Sequence, residues 1–515
     1  MMAQFGKILT FLTILVVLAP SQGIFAEGTR GGFDDAFGPL FNPDARTAPP
    51  NVKHRPRHGF DRASGVRHWN QIAVDASGFD HTPVAPDETR VFGEQLGPGR
   101  AARAMAIVHL AVFEVVNSIE GDYKSYVGLP HAKLGASLQA GVAQAAHDTL
   151  ASLFPSQAAS FDTILKEELE EIPEGRLKTN GIALGKRAAS AILAARSNDG
   201  SQHAEPRVGI EYLTSNDPGK WRQDPISKIP LALGAYWDKV KPFVLERADQ
   251  FRTPPPPRLD SRDYAAAFNE VKTLGGDGVV TPTIRSAEQT QIGIYWAYDG
   301  TPSLCAPPRL YNQITMKIAH QMGTDNDVME LARLLALVHL AMADAGIAVW
   351  ESKYYYQYWR PITGIREADE KMGPSGLGDG NPTTAGDTTF SPLGAPASNL
   401  KGPNFTPPFP AYPSGHAGFG GALFEILRNY YKTDRIRFTF VSDEFNGVTR
   451  DNAGNVRPLV ERSFSSLSEA EEENGQSRIY LGIHWAFDKT EGIAQGRRVA
   501  DYVFKNMLRP RHHGR

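Results

Sequence analysis

Phe409-Pro410-Ala411-Tyr412-Pro413-Ser414-Gly415-His416 decides how this chain is read. It runs directly into residues 417–431, where Phe419, Leu423, Ile426, Leu427 and Tyr430 recur at helical spacing. The spacing predicts that Ser414 and Gly415 open a helix. N–H groups in a first turn lack intrahelical partners and the dipole end there is positive, so a tetrahedral oxyanion can dock. His416 stands beside that position with a titratable ring. The stretch therefore predicts a site for a phosphate-shaped ion with proton chemistry beside it.

Outward from this stretch, long helical patterns dominate: residues 101–118, 136–153, 181–196 and 327–358. Strand-like alternation is scarce. The expected fold is mainly α, two helical bundles of four-helix type, with the oxyanion site in the C-terminal one. An internal echo supports two related bundles. Ile107-Val108-His109-Leu110-Ala111 with Glu114 resembles Leu337-Val338-His339-Leu340-Ala341 with Asp344. His109 and His339 read as core histidines hydrogen-bonded to neighbours. Two irregular zones, 218–257 and 371–413, read as a wrap between the halves and as a wall beside the site.

The expected organisation is a signal peptide at 1–26, an extended arm or partly disordered lead-in at 27–66, an N-terminal helical half at 67–290 and a C-terminal half at 291–515. Lys7, the apolar run 8–19 and Ile24-Phe25-Ala26 form the leader pattern, so the chain is expected to be secreted or periplasmic. No later stretch reads as apolar enough to span a bilayer. The 515 residues hold 41% apolar and 22% charged side chains, as in ordinary folded domains. A formal net charge of -3 gives no reason to expect nucleic acid as a partner. The single cysteine, Cys305, excludes an internal disulfide and cysteine-rich metal sites, and reads as a buried small apolar residue.

Three C-terminal segments carry the chemistry. Lys353 and Arg360 stand seven positions apart, which on a continuous helix shares one face, with Pro361 closing the helix. The second segment is Pro413-Ser414-Gly415-His416. The third runs from Ser477-Arg478 to His484 and Asp488, with Asp488 expected one helical turn beyond His484, where a carboxylate takes one imidazole N–H. Lys353, Arg360 and Arg478 supply cations, Ser414 and the Gly415 N–H supply neutral donors, and two imidazoles remain for attack, coordination or proton transfer. That donor set matches a highly charged oxyanion.

Lys353-x6-Arg360-Pro361, Pro413-Ser414-Gly415-His416 and Ser477-Arg478-x5-His484-x3-Asp488 resemble the three-part signature of the type 2 phosphatidic acid phosphatase superfamily. That superfamily includes acid phosphatases and vanadium-dependent haloperoxidases. The wider neighbourhood, with Trp296-Ala297-Tyr298-Asp299-Gly300 and Pro307-Pro308-Arg309, resembles the chloroperoxidase type of the haloperoxidases.

The resemblance implies vanadate as cofactor. Lys353, Arg360, Ser414, Gly415 and Arg478 would hold its oxygens and His484 would bind vanadium. It casts His416 as the acid–base residue and has Lys353 assist the peroxide. Asp299 would pair with Arg478, and Trp350 and Phe409 would line the halide side. The implied partners are hydrogen peroxide, a halide ion and small organic acceptors, with hypohalous acid as product. An exported acid phosphatase with His484 as nucleophile uses the same residues and stays open at this stage.

Overall fold

A computed structural model describes residues 32–43, 61–85, 88–132 and 135–511. The expected signal peptide lies outside the described residues. The helices are α1 (Phe33–Phe37), α2 (Ser64–Asp80), α3 (Gly97–Glu120), α4 (Leu138–Leu153), α5 (Ala158–Glu171), α6 (Arg176–Arg196), α7 (Arg262–Leu274), α8 (Ala287–Tyr295), α9 (Pro307–Gln321), α10 (Val328–Tyr356), α11 (Pro361–Arg366), α12 (Gly415–Tyr431), α13 (Leu467–Tyr480) and α14 (Ala486–Asn506). Two antiparallel pairs complete the described fold: β1 (Asn42–Pro43) with β2 (Leu400–Lys401), and β3 (Phe438–Asn446) with β4 (Leu459–Phe464). The fold is mainly α, as expected.

Two helix trios form the framework. Helices α3, α4 and α6 pack on one another, and α10, α12 and α14 do the same. The trios meet along α3 and α10. By length and composition both of these helices could cross a membrane, against the expectation that no segment after the leader could. Both are instead almost entirely buried, so their apolar character serves the bundle interior.

The sequence echo lies at this seam. His109 of α3 stacks on His339 of α10, with ring centroids 4.4 Å apart and planes 8° from parallel. Glu114 accepts hydrogen bonds from Ser125 and the Tyr126 N–H, while Asp344 accepts from the N–H groups of Phe243, Val244 and Leu245. Each carboxylate fastens a loop to its own central helix.

The correspondence extends to the packing of the other helices. Ser137 and Ser414 cap α4 and α12 through their side chains. The Ser137 N–H donates to Leu177 C=O, and the Ser414 N–H to Asp488 C=O. Gly185 packs on the Gly141 carbonyl and Gly496 on the Gly418 carbonyl, so closely that a Cβ would overlap either oxygen. The expected hydrogen bonding holds for His339, whose Nε2 meets the Asn312 amide, but buried His109 Nε2 has no such partner among the described residues.

Three expectations need correction. The arm is not simply extended where it is described: α1 packs into an aromatic cluster and β1 pairs with β2. The long helix does not continue to Arg360. It ends at Tyr356, Gln357 takes a left-handed conformation (φ 52°), and Arg360 caps α11 with Pro361 as its first residue. His484 is not helical either. Trp485 caps α14, and Asp488 reaches back from its third position. On the N-terminal side of residue 290, α7 packs against α11, α13 and α14.

The stacked imidazoles set an acid limit on stability. Burial lowers His109 from 6.5 to about 3, and burial together with His109 holds His339 well below its ordinary value. Below pH 6.5 the unfolded chain therefore takes up protons that the folded chain excludes. Each such histidine removes up to about 1.4 kcal/mol of stability per pH unit. Denaturant unfolding should show stability falling from pH 7 to pH 4.5, with a shallower fall in His109→Gln. Parallel pH dependences would contradict this.

Candidate active site

The site forms where α10, α12 and α14 converge with the loops that precede α9, α12 and α14. Ser414 caps α12, accepting the Ala417 N–H on its side-chain oxygen, so its hydroxyl proton is free for another acceptor. Gly415 is the first helical residue. A Cβ there would press on the Trp350 ring. The predicted helix start is therefore observed.

The structure brings the cations together below the floor of a cleft. Lys353, Arg360 and Arg478 are buried, the most exposed at 1%. Lys353 Nζ donates to the carbonyls of Pro410 (2.8 Å) and Ala411 (3.0 Å). Arg360 Nε donates to Phe409 C=O, and its Nη1 to Ile483 C=O and His484 Nε2, each at 2.9 Å. Arg478 Nη2 donates to both oxygens of Asp299, at 2.7 and 2.8 Å. Burial, followed by the charge of Arg360, pushes Lys353 well below the usual lysine range, and burial lowers Arg360 to about 9. Clustering these charges away from water is unfavourable without an anion.

The unused donors define what is missing from the constellation. Arg360 Nη2, Arg478 Nε and Arg478 Nη1 are buried without a hydrogen-bond acceptor among the described residues. A buried donor left unpaired costs on the order of 1–3 kcal/mol, and more when charged. The Ser414 hydroxyl and the first-turn amides of α12 add neutral donors. A tetrahedral oxyanion supplies acceptors to all of them, so these residues fit vanadate.

The two histidines have defined tautomers. His484 Nδ1 lies 2.8 Å from Asp488 Oδ2, which also accepts the Trp485 N–H. Because Arg360 can only donate, the His484 Nε2 facing it carries the lone pair. Burial raises Asp488 to about 7, while the Trp485 N–H, Lys353 and Arg360 oppose that rise. His416 Nε2 faces the Ala297 carbonyl, which only accepts, so that nitrogen is protonated and Nδ1 is the titrating atom. Burial, then Arg478, push His416 well below the ordinary histidine range.

Trp350 and Phe409 meet at 4.9 Å between centroids, with planes 59° apart, and both line the cleft. Trp350 is wedged against Gly234 and donates from Nε1 to Leu233 C=O. The Phe409 ring lies 5.1 Å from Lys353 Nζ and 5.0 Å from the Arg360 guanidinium carbon. All eleven residues singled out in the sequence thus occupy one connected region.

Sequence reasoning missed a support behind His416. Tyr311 of α9 and Asn474 of α13 both donate to the His416 carbonyl, at 2.9 and 3.0 Å. Asn474 lies one helical turn before Arg478, so one face of α13 reaches both His416 and the oxyanion position. Asn474 also packs on Gly420, where a Cβ would overlap its amide. The Ala297 carbonyl was also unforeseen as a partner for His416.

Comparison with known proteins agrees with this arrangement. Residues 333–513 match the family model described as the VCPO second helical-bundle domain. The vanadium chloroperoxidase of Curvularia inaequalis is 30% identical over 501 residues, covering 82% of this chain and 78% of that protein. Among solved structures, the first bacterial vanadium-dependent iodoperoxidase superposes with a TM-score of 0.67 at 23% identity, covering 86% of this chain and 96% of that one. An apo-type bacterial vanadium-dependent chloroperoxidase gives a TM-score of 0.58 at 17% identity, covering 80% and 94%. The chain belongs to the vanadium-dependent haloperoxidases, enzymes that use vanadate and hydrogen peroxide to oxidise halide to hypohalous acid.

Proposed function

We propose that this haloperoxidase is of the chloroperoxidase type, accepting chloride as well as the more easily oxidised halides. The carrying observation is the Trp350–Phe409 pair on the cleft side of the cations. Its rings offer no hydrogen-bond acceptor to compete with a halide for nearby donors, and they hold neighbouring cationic charge in a desolvated setting. The relatives include chloride and iodide enzymes, so the assignment rests on the pocket's own residues.

The site residues divide the work. Lys353, Arg360, Ser414, Gly415 and Arg478 hold the oxyanion through the donors described above. His484 presents its Nε2 lone pair as the protein ligand, and Asp488 keeps that tautomer by accepting the Nδ1 proton. When bound, vanadate supplies Lewis-acid activation of hydrogen peroxide. His416 Nδ1 accepts a proton from incoming peroxide, and the Ala297 carbonyl fixes the ring for that task. Lys353 directs an N–H toward the reacting oxygen and stabilises the negative charge that develops there. Asp299 keeps Arg478 aimed at the oxyanion. Small organic molecules are the proposed acceptors of the hypohalous product. The same reading has the chain exported, supported by Lys7, the apolar run 8–19 and Ile24-Phe25-Ala26.

Two substitutions test these assignments. His484→Ala should abolish stoichiometric vanadium retention after gel filtration while the helical circular dichroism stays native. Retained vanadium at one per chain would remove His484 as the ligand. Phe409→His should lower the rate of chloride oxidation at least about tenfold more than that of bromide, a differential barrier of about 1.4 kcal/mol. An unchanged chloride-to-bromide ratio would show that the aromatic pair does not set halide preference.

A further inference from the structure

Ala297 and Asp299 serve two different site residues although one residue separates them. The Ala297 carbonyl accepts from His416 Nε2, and the Asp299 carboxylate accepts from Arg478 Nη2 at 2.7 and 2.8 Å. Both lie in the loop between α8, which ends at Tyr295, and α9, which begins at Pro307. Neither a helix nor a strand fixes their directions. Tyr298 stands between them with φ 45°, a left-handed conformation that is an outlier for a bulky side chain. Strain of this kind persists only where its surroundings over-determine it.

The surroundings are β3 and α9. The buried Tyr298 hydroxyl accepts the Asp443 N–H at 2.7 Å and donates to Gln313 Oε1 at 3.1 Å. Gln313 Nε2 donates to Asp443 Oδ2 at 2.9 Å; a carboxylate only accepts, so it turns the amide oxygen toward the phenol. Arg309 Nε donates to the same carboxylate oxygen at 3.0 Å. Burial, followed by the charge of Asp443, raises the Tyr298 phenol well above its ordinary value, so its proton stays in place for Gln313. Upstream in the same segment, Ser442 Oγ donates to the Tyr295 carbonyl at 2.6 Å, and the Tyr295 hydroxyl donates to the Phe440 carbonyl at 2.5 Å. β3 thus grips residues 295–298, and neither partner of the Tyr298 hydroxyl belongs to the oxyanion constellation.

We propose that Tyr298 is a positioning residue for the reaction: its anchored ring holds the left-handed backbone that sets the Ala297 carbonyl behind His416 and the Asp299 carboxylate behind Arg478. One side chain then aligns the proton acceptor and the oxyanion clamp together. The proposal rests on the roles given above to His416 and Arg478 and adds the residue that couples them. Loosening Tyr298 lets the His416 ring turn away from incoming peroxide and lets the Arg478 fork swing off the oxyanion, without removing any donor from the site.

The test uses full-length protein, orthovanadate, bromide and hydrogen peroxide. Tyr298→Phe keeps the ring and removes both hydrogen bonds. It should weaken vanadate binding, read by calorimetry, about fivefold or more, the loss expected of a buried hydrogen bond. At saturating vanadate it should raise KM for peroxide by a similar factor while kcat changes less than about twofold. A ring that merely fills the core would leave both constants at the wild-type value and lower only the thermal midpoint or the active fraction, and that result would overturn the proposal. Gln313→Met removes the hydroxyl's acceptor from outside the site, so it decides the question if Tyr298→Phe folds poorly. The same two constants should shift in the same direction, and unchanged constants count against the proposal. In an Asp299→Asn background, Tyr298→Phe should weaken vanadate binding by less than about twofold, because residues acting through one another are not additive. The full loss repeated in that background would overturn the route through Asp299. If Asp299→Asn alone leaves vanadate binding intact, the Arg478 assignment fails, and the peroxide KM still decides whether Tyr298 acts through His416.

Discussion

The structure depends on a charge imbalance sealed away from water. Lys353, Arg360 and Arg478 converge with Asp299 and Asp488 as the carboxylates acting on them, and three guanidinium nitrogens have no acceptor among the described residues. In a low-dielectric interior such a cluster is tolerated only when an anion completes it. A tetrahedral oxyanion satisfies the charge and the geometry together. The proton chemistry then follows from two imidazoles fixed by partners behind them: Nδ1 of His416 is the titrating atom, and Nε2 of His484 carries the lone pair that Arg360 Nη1 engages.

Holding this cluster requires a rigid frame, and the frame is the close α12–α14 seam. Gly418, Gly492 and Gly496 let the two helices approach at backbone distance, which brings Ser414 and Asp488 into direct contact. The α4–α6 seam uses the same device at Gly141, Gly181 and Gly185 without any of the site's ionisable residues. Ser137 occupies the position of Ser414, but Gln139 stands where the site has His416, and Leu177 where it has Asp488. The shared architecture thus carries chemistry in one trio and packing in the other, with His109 on His339 joining them.

Much of the site was legible because its parts are written as short linear motifs next to helix ends. Ser414 announces itself as a cap, and the i+4 spacing of His484 and Asp488 brings them together even though only Asp488 is helical. The same kind of spacing misled at Lys353 and Arg360. Seven positions suit two helical turns, but Gln357 breaks the helix and a second one starts at Pro361. Tyr311, Asn474 and the Ala297 carbonyl were not legible, since long-range packing alone brings them to His416. The β3–β4 hairpin was hidden because polar Ser442 and Glu444 occupy inward positions of the alternation. In the arm, Phe33, Phe37 and Phe41 recur every four residues, a signal masked by the surrounding glycines. The motif residues alone left a phosphatase and a peroxidase equally served. Similarity across most of the chain separated them.

The central claim is that one tetrahedral oxyanion completes this buried cation cluster. Calorimetric titration of metal-free protein with orthovanadate, repeated in the presence of phosphate, tests it most directly. The account predicts one vanadate per chain and an apparent affinity that falls in proportion to added phosphate, because both ions use the same donors. Vanadate binding indifferent to phosphate, or no binding by correctly folded protein, would contradict it.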